Sequence, residues 1–282
     1  GNFQYFRNLF AIFNRDEYLK AEQGLPLPSD VWLPGIQVMM ARDHTVSTRG
    51  LFVAAKGGNN DESHNHNDVG NFIVYYNGQP VLIDVGRGTY TRKTFSDQRY
   101  DIWSNCSDYH NLPTVNGLTQ PAGPDFKAGG VEYREDKSFA ALSLDLSKAY
   151  PGNAGINSWQ RSIRLNRGKN VELKDVLSLK TANGITEHFM TCYPANIINP
   201  GELLIHSGQN SEAASDFIIR YDARQLRAIV EKVPLTAPED KGIKEKWGDN
   251  IYRILFEVFV PKPKDQIRFV IEAKERAGGS NK

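Results

Sequence analysis

The sequence predicts an all-β protein, a large antiparallel β-sandwich headed by one helix. Three observations predict it. From about Val31 onward, short apolar runs recur with Gly, Pro, Asn and Asp between them, which is the rhythm of an antiparallel sandwich. No strand–helix–strand alternation interrupts them, which argues against a doubly wound sheet. Ahead of them, Phe3, Phe6, Leu9, Phe10 and Phe13 recur at helical spacing and make one apolar stripe over the segment Phe3 to Lys20.

That helix comes first, and so apolar a stripe needs a partner: either the sheet or a neighbouring helical unit. The chain opens on Gly1 with no initiating Met. It therefore reads as an internal piece of a longer protein, with Gly1 a cloning remnant. Gly24 to Asp30 is a breaker-rich linker. Strand patterns follow at 36–42, 51–55, 71–76 and 81–84, and Asn77-Gly78 between the last two reads as a hairpin turn. Residues 86–123 are loop-rich, with many polar and aromatic side chains, and a long irregular stretch inside a compact domain is usually functional or mobile. Strands resume at 130–134, 139–145, 159–165, 170–179 and 187–192, then at 203–206, 217–221, 227–233, 251–260 and 266–272. The last residues, 276–282, read as a frayed tail.

With 282 residues the chain can bury a large core, and 40% hydrophobic with 24% charged residues is an ordinary globular balance. A net charge of +1 carries no basic footprint of the kind nucleic-acid binding requires. No apolar run reaches the roughly 18 residues of a membrane helix, and no signal peptide is visible. The two cysteines, Cys106 and Cys192, form no CxxC pair, so a thiolate metal site is not indicated. They read as two separate buried thiols, with a disulfide the alternative.

The chemistry concentrates between Gly57 and Gln120. His64 and His66 form an HxH pair, and on an extended segment both imidazoles would share a face. Such a pair serves a metal, or divides into one ligand and one catalyst, or is simply two surface histidines in a polar loop. Asp84 closes the apolar strand 81–84. A carboxylate there either meets a compensating partner, because a bare buried charge is costly, or caps a turn. His110, in Tyr109-His-Asn-Leu-Pro, is the third donor. Two histidines and one aspartate from separate segments make a candidate Zn²⁺ site with an open position. Tyr100, in the polar loop between Asp84 and His110, is either a proton donor or an aromatic lid, and Tyr90 has the same two readings. Arg87, Arg92, Lys93 and Arg99 cluster nearby, as anion binders or as solvated loop charges. Trp103, Tyr109 and Trp159 fit sugar stacking or, more often for such residues, the core. Glu187-His188 reads as structural, and His44 and His206 carry no functional context.

In order, HNHND, LIDVGRGTY, RYD and YHNLPTVNG resemble the heparinase II/III-like superfamily of polysaccharide lyases, which includes oligoalginate lyases. The match is strongest over residues 50–120. The resemblance implies a supersandwich-like β domain over 26–275, with residues 1–25 as the terminal helix of an N-terminal α/α toroid. It implies His66, Asp84 and His110 as ligands of a structural divalent metal, best matched by zinc. It implies His64 as the histidine that faces the substrate carboxylate and Tyr100 as general acid; by their place beside these residues, Arg87, Tyr90 and Arg99 are the candidate substrate binders. Asn67 and Asp68 are assigned to holding the loop. The implied reaction is β-elimination at 4-O-linked uronic acids of an acidic polysaccharide, either glycosaminoglycan or alginate. The missing toroid would supply further catalytic groups, so this chain alone should turn over poorly. The resemblance also implies a periplasmic or secreted bacterial protein, without nucleic-acid or membrane partners. Two other functions compete: a non-catalytic carbohydrate-binding sandwich with a structural metal, and a zinc hydrolase using metal-bound water.

Overall fold

A computed structural model describes residues 3–20, 27–207 and 215–274 of the chain. The expected frayed tail and residues 24–26 of the expected linker lie outside the described residues.

The N-terminal segment is helical, as Phe3–Phe13 and Arg15–Lys20 with a turn at Asn14 between them. The second helix carries Asp16 and Glu17 in its first turn and Lys20 in its last, the arrangement that complements the helix dipole. The apolar stripe is not packed on the sheet: Phe6, Phe10 and Phe13 are 73%, 65% and 78% exposed. Of the two partners the sequence leaves open, the sheet does not cover the stripe. Among the described residues no helix is long and apolar enough to cross a membrane.

Most of the rest is antiparallel β-structure. One sheet orders Asp30–Leu33, Val38–Arg42, Leu51–Lys56, Phe72–Tyr76 and Gln79–Leu82 side by side. A second, broader sheet is centred on Ile156–Asn166, Asn170–Leu179 and Lys264–Lys274. A third contains Leu226–Pro234, Asn250–Val258, Ile185–Thr191 and Pro113–Val115. The first and third join end to end where the Ile83 N–H donates to the Met190 carbonyl at 2.9 Å. Together they face the broad sheet across a core that includes Val53, Phe72, Trp159, Leu173, Phe189 and Phe269. Period-2 alternation explains the layering: along Leu51–Lys56 every second residue is buried.

The expected hairpin at Asn77-Gly78 is present, with φ of 48° and 77° and Tyr76 opposite Gln79, as its turn requires. The expected irregular stretch contains four single turns of 3₁₀-helix between Lys93 and Tyr109. A short helix, Lys241–Trp247, was not anticipated. Its Trp247 indole N–H donates to the Val85 carbonyl at 2.9 Å, fixing the chain just after Asp84.

Candidate metal centre and adjoining cavity

Three segments deliver the predicted donors to one point. His66 lies in the loop after Asn59–Asn60, Asp84 follows the strand Gln79–Leu82, and His110 ends the run of 3₁₀ turns. One ligand atom from each lies within 4.8 Å of the others. His110 is fully buried, with its Nδ1 3.2 Å from Asp84 Oδ2, and its ring centroid is 5.3 Å from that of His66. Asp84 is further held by the Gly86 N–H on Oδ1 at 2.7 Å and by the Asn71 amide on Oδ2 at 2.8 Å.

The electrostatics suit a cation. Burial, with His110 beside it, pushes the His66 imidazole down to about 4, so it is neutral with a free lone pair near pH 7. Burial alone would raise the Asp84 carboxyl, but His110 and His66 outweigh it and hold it well below the usual carboxylate range. Burial likewise opposes a charge on His110, and Asp84 overrides it, so that imidazole holds its proton more tightly than usual. The negative charge that keeps this proton is the charge that would keep a metal ion in its place. His110 Nε2 is buried with no hydrogen-bond partner, an orphan that a native structure rarely leaves unexplained. Two imidazoles and one carboxylate form an N/O donor set suited to zinc and similar divalent ions, with a coordination position to spare. The residues therefore fit a divalent metal, without selecting which.

Beside this centre is a cavity of about 190 Å³, lined by His64, His66, Arg87, Tyr90, Lys93 and Arg99 among others. His64 reaches it by a different route from the one its spacing suggests. The segment is a turn, not an extended strand, and His64 takes a left-handed φ of 59°. Such conformations are uncommon outside glycine and concentrate at functional sites. The exposed His64 ring stacks on Tyr90 at 6.3 Å and 16°, and the Arg87 guanidinium lies 4.5 Å from the Tyr90 ring centre. Arg99 donates to the carbonyls of Asn65 and Thr94. Both guanidiniums rest on neutral partners, in a cavity whose lining also includes Asp101, Glu239 and Asp240. Lys93 instead pairs with Asp101 at 3.5 Å.

The two candidate phenols separate. Tyr90 lines the cavity, whereas the Tyr100 hydroxyl donates to Asn65 Oδ1 at 2.9 Å, between the two histidines of the loop. Burial raises the Tyr100 phenol in spite of nearby Arg99, so it holds its proton. Asn67 and Asp68 are anchors: the Asn67 amide donates to the Gln120 carbonyl at 3.0 Å, and Asp68 takes Lys56 at 2.8 Å. Trp159 is core, and Trp103 donates to buried Asp240 at 3.0 Å while edging Tyr109. His188 is structural, bonded to Thr114 at 2.9 Å. Cys106 and Cys192 are free thiols, pushed up by burial to about 11 and about 12.

A second polar cluster was not anticipated. Fully buried Arg161 bonds Asp175 through Nε and Nη2 and Glu187 through Nη2 at 2.8 Å. Burial drives the Glu187 carboxyl well above its usual range, against the pull of Arg161. A sequence signal for it exists. Arg161 falls in register with Trp159, Ile163 and Leu165, and Asp175 with Val171, Leu173 and Leu177, so both charges occupy inward-facing positions of adjacent strands.

Sandwich, three-donor cluster and adjoining cavity together make a β domain with a candidate metal centre. The sequence profile of the heparinase II/III-like C-terminal family matches residues 34–247, and the chain belongs to that family. A search of curated proteins gave no match. Among solved structures, heparan sulfate lyase HepC from Pedobacter heparinus superposes with a TM-score of 0.69 at 13% identity, over 97% of this chain and 41% of that one. Heparinase III superposes with a TM-score of 0.66 at 14% identity, over 90% of this chain and 37% of that one. At such identities the likeness is one of fold, and this chain spans about two fifths of those proteins.

Proposed function

We propose that this chain is the metal-binding β-sandwich part of a polysaccharide lyase acting by β-elimination at 4-O-linked uronic acids. One observation carries the reading: the three-donor centre abuts a cavity that presents an exposed, left-handed histidine and two guanidiniums on neutral partners.

A lyase removes the weakly acidic C5 proton of a uronic acid and expels the sugar linked at O4. Charge then develops on the substrate carboxylate, and preformed donors stabilise it most effectively. His64 has that role, with Arg99 and Arg87 supplying positive charge and Tyr90 a face for the sugar ring. Tyr100 is the general acid for the leaving oxygen, and its retained proton suits that task. His66, Asp84 and His110 would hold the metal. When bound, it supplies positive charge that ties three loops together and sets the loop carrying His64.

We assign residues 1–25 to the end of an upstream α/α toroid, 26–275 to the sandwich and 276–282 to a tail. The exposed Phe6, Phe10 and Phe13 of the first helix support a helical neighbour, as does the two-fifths coverage of the solved relatives. The toroid would contribute the base that takes the C5 proton. The metal is zinc, the substrate is an acidic polysaccharide, and the setting is periplasmic or extracellular. Neighbours named as heparan sulfate lyases favour a glycosaminoglycan over alginate as the first substrate to try.

The test is an assay for 4,5-unsaturated uronate, by ultraviolet absorbance, with and without the upstream helical region. The reading expects product from the longer protein and little or none from this chain. Binding of acidic glycan by the longer protein without unsaturated product would favour a carbohydrate-binding sandwich instead.

A further inference from the structure

Each ligand of the metal centre touches, or adjoins in sequence, an asparagine that forms no part of the donor set. The Asn71 side-chain amide donates to Asp84 Oδ2 at 2.8 Å and stands 3.5 Å from His110 Nδ1. Its Oδ1 accepts the backbone N–H of Asn111 at 3.0 Å, and Asn111 directly follows His110. The Asn111 side chain is fully buried and fully used. It donates to the carbonyls of Phe72 at 2.5 Å and Ile83 at 3.1 Å, and its Oδ1 accepts the Met190 N–H at 2.7 Å. Ile83 directly precedes Asp84. One side chain therefore sets the spacing between the backbones that carry the two ligands, at the seam between the first and third sheets.

The pair is itself clamped. Arg161 Nη1 donates to the Asn111 carbonyl at 2.9 Å and approaches the Gly70 carbonyl at 3.4 Å, so the guanidinium grips the residue before Asn71 and Asn111 itself. Asp175 and Glu187 hold the other edge of the guanidinium. A buried ion cluster is weak evidence of stability, since an apolar substitute of the same volume often does as well. Its directional bonds to these carbonyls give it a use that apolar packing cannot supply.

We propose that Asn71 and Asn111 are positioning residues of the metal centre, and that buried Arg161 locks them at the separation His110 and Asp84 need. This rests on the metal-binding reading above. It also gives the buried cluster a role at the site rather than in the core alone.

The test compares the whole chain with Asn71→Ser, Asn111→Ser and Arg161→Lys. Zn²⁺ affinity is measured by competition with a chromophoric chelator, the Co²⁺ absorption spectrum is recorded, and Tm is taken in chelator and in saturating Zn²⁺. Outer partners of metal ligands typically change affinity by about 10- to 100-fold, and that weakening is expected here. The Co²⁺ spectrum should change, and the metal-induced rise in Tm should shrink, as linkage requires. A purely structural role would lower Tm in chelator while leaving affinity and spectrum as in the wild type, and that result would overturn the proposal. If Asn111→Ser does not fold, Asn71→Ser decides, since it keeps every bond of the Asn111 side chain. Wild-type protein that binds no metal would overturn both this inference and the reading beneath it. Tight binding in every variant would overturn this inference alone.

Discussion

His110 Nδ1 lies 3.2 Å from Asp84 Oδ2, on two side chains brought in by unconnected loops. The ring is fully buried, so the carboxylate is its main electrostatic counterpart, and together they make a socket whose charge favours a cation.

Replacing Asp84 with Ala should therefore do more than remove one donor. It leaves His110 buried without its anion and frees the Asn71 amide. Zn²⁺ affinity should fall by at least the roughly 100-fold at the top of the range for outer partners. Titration against a chelator measures this, and wild-type affinity in the variant would remove Asp84 from the ligand set.

Catalysis should separate from metal binding in the longer protein. His64→Ala and Tyr100→Phe should retain bound metal and lose about 10²- to 10⁴-fold in kcat, the usual contribution of a positioned acid or base. Tyr90→Phe keeps the aromatic face and should lose less than about tenfold, an effect of binding worth under ~1.4 kcal/mol. Steady-state kinetics alongside metal content checks all three. A large loss in Tyr90→Phe with none in Tyr100→Phe would exchange the two phenols, since Tyr90 is the one that lines the cavity.

The buried cluster should respond unequally to loss of its two acids. Burial disfavours the charged form of Glu187 and Arg161 meets it through one bond, so Glu187→Gln should cost about 1 kcal/mol or less, the scale of one hydrogen bond. Asp175→Asn leaves Arg161 buried without its bidentate anion and should cost about 3–5 kcal/mol. Urea unfolding of both variants gives the comparison, and equal costs would mean that the two carboxyls are equivalent partners of Arg161.

Acid should destabilise the fold through His188. Burial, aided by Arg253, pushes its imidazole down to about 3. The folded protein keeps it neutral, while the unfolded chain takes up a proton near 6.5. Its contribution is thus fully present above about 6.5 and is lost as pH falls toward 3, at up to ~1.4 kcal/mol per pH unit. In chelator, His188→Gln should show a flatter decline of Tm over that window than the wild type. Parallel curves would mean the ring is already charged in the folded protein.

Much of the fold was legible because strands announce themselves locally. Alternation at Leu51–Lys56 and the left-handed Asn77-Gly78 turn needed no distant information. The metal donors were legible as residue types in a loop-rich stretch, and the structure brings them together. The geometry of His64 was not, because HxH implies a shared face only on a strand, and here a left-handed turn carries the residue. The helix Lys241–Trp247 has too few turns to display a period. Asn71 and Asn111 gave no local sign, since their partners lie on other strands and only the closed sandwich supplies them. Arg161 and Asp175 did give one, as charges on the apolar side of an alternating strand, a pattern that demands a buried partner.

The most direct test of the account is a crystal structure of the purified chain, with anomalous scattering recorded on both sides of the zinc absorption edge. The account predicts one peak, bonded to His66, Asp84 and His110 at about 2.0–2.2 Å. A metal-replete crystal with no peak there, or with the three side chains turned away from one another, would contradict it.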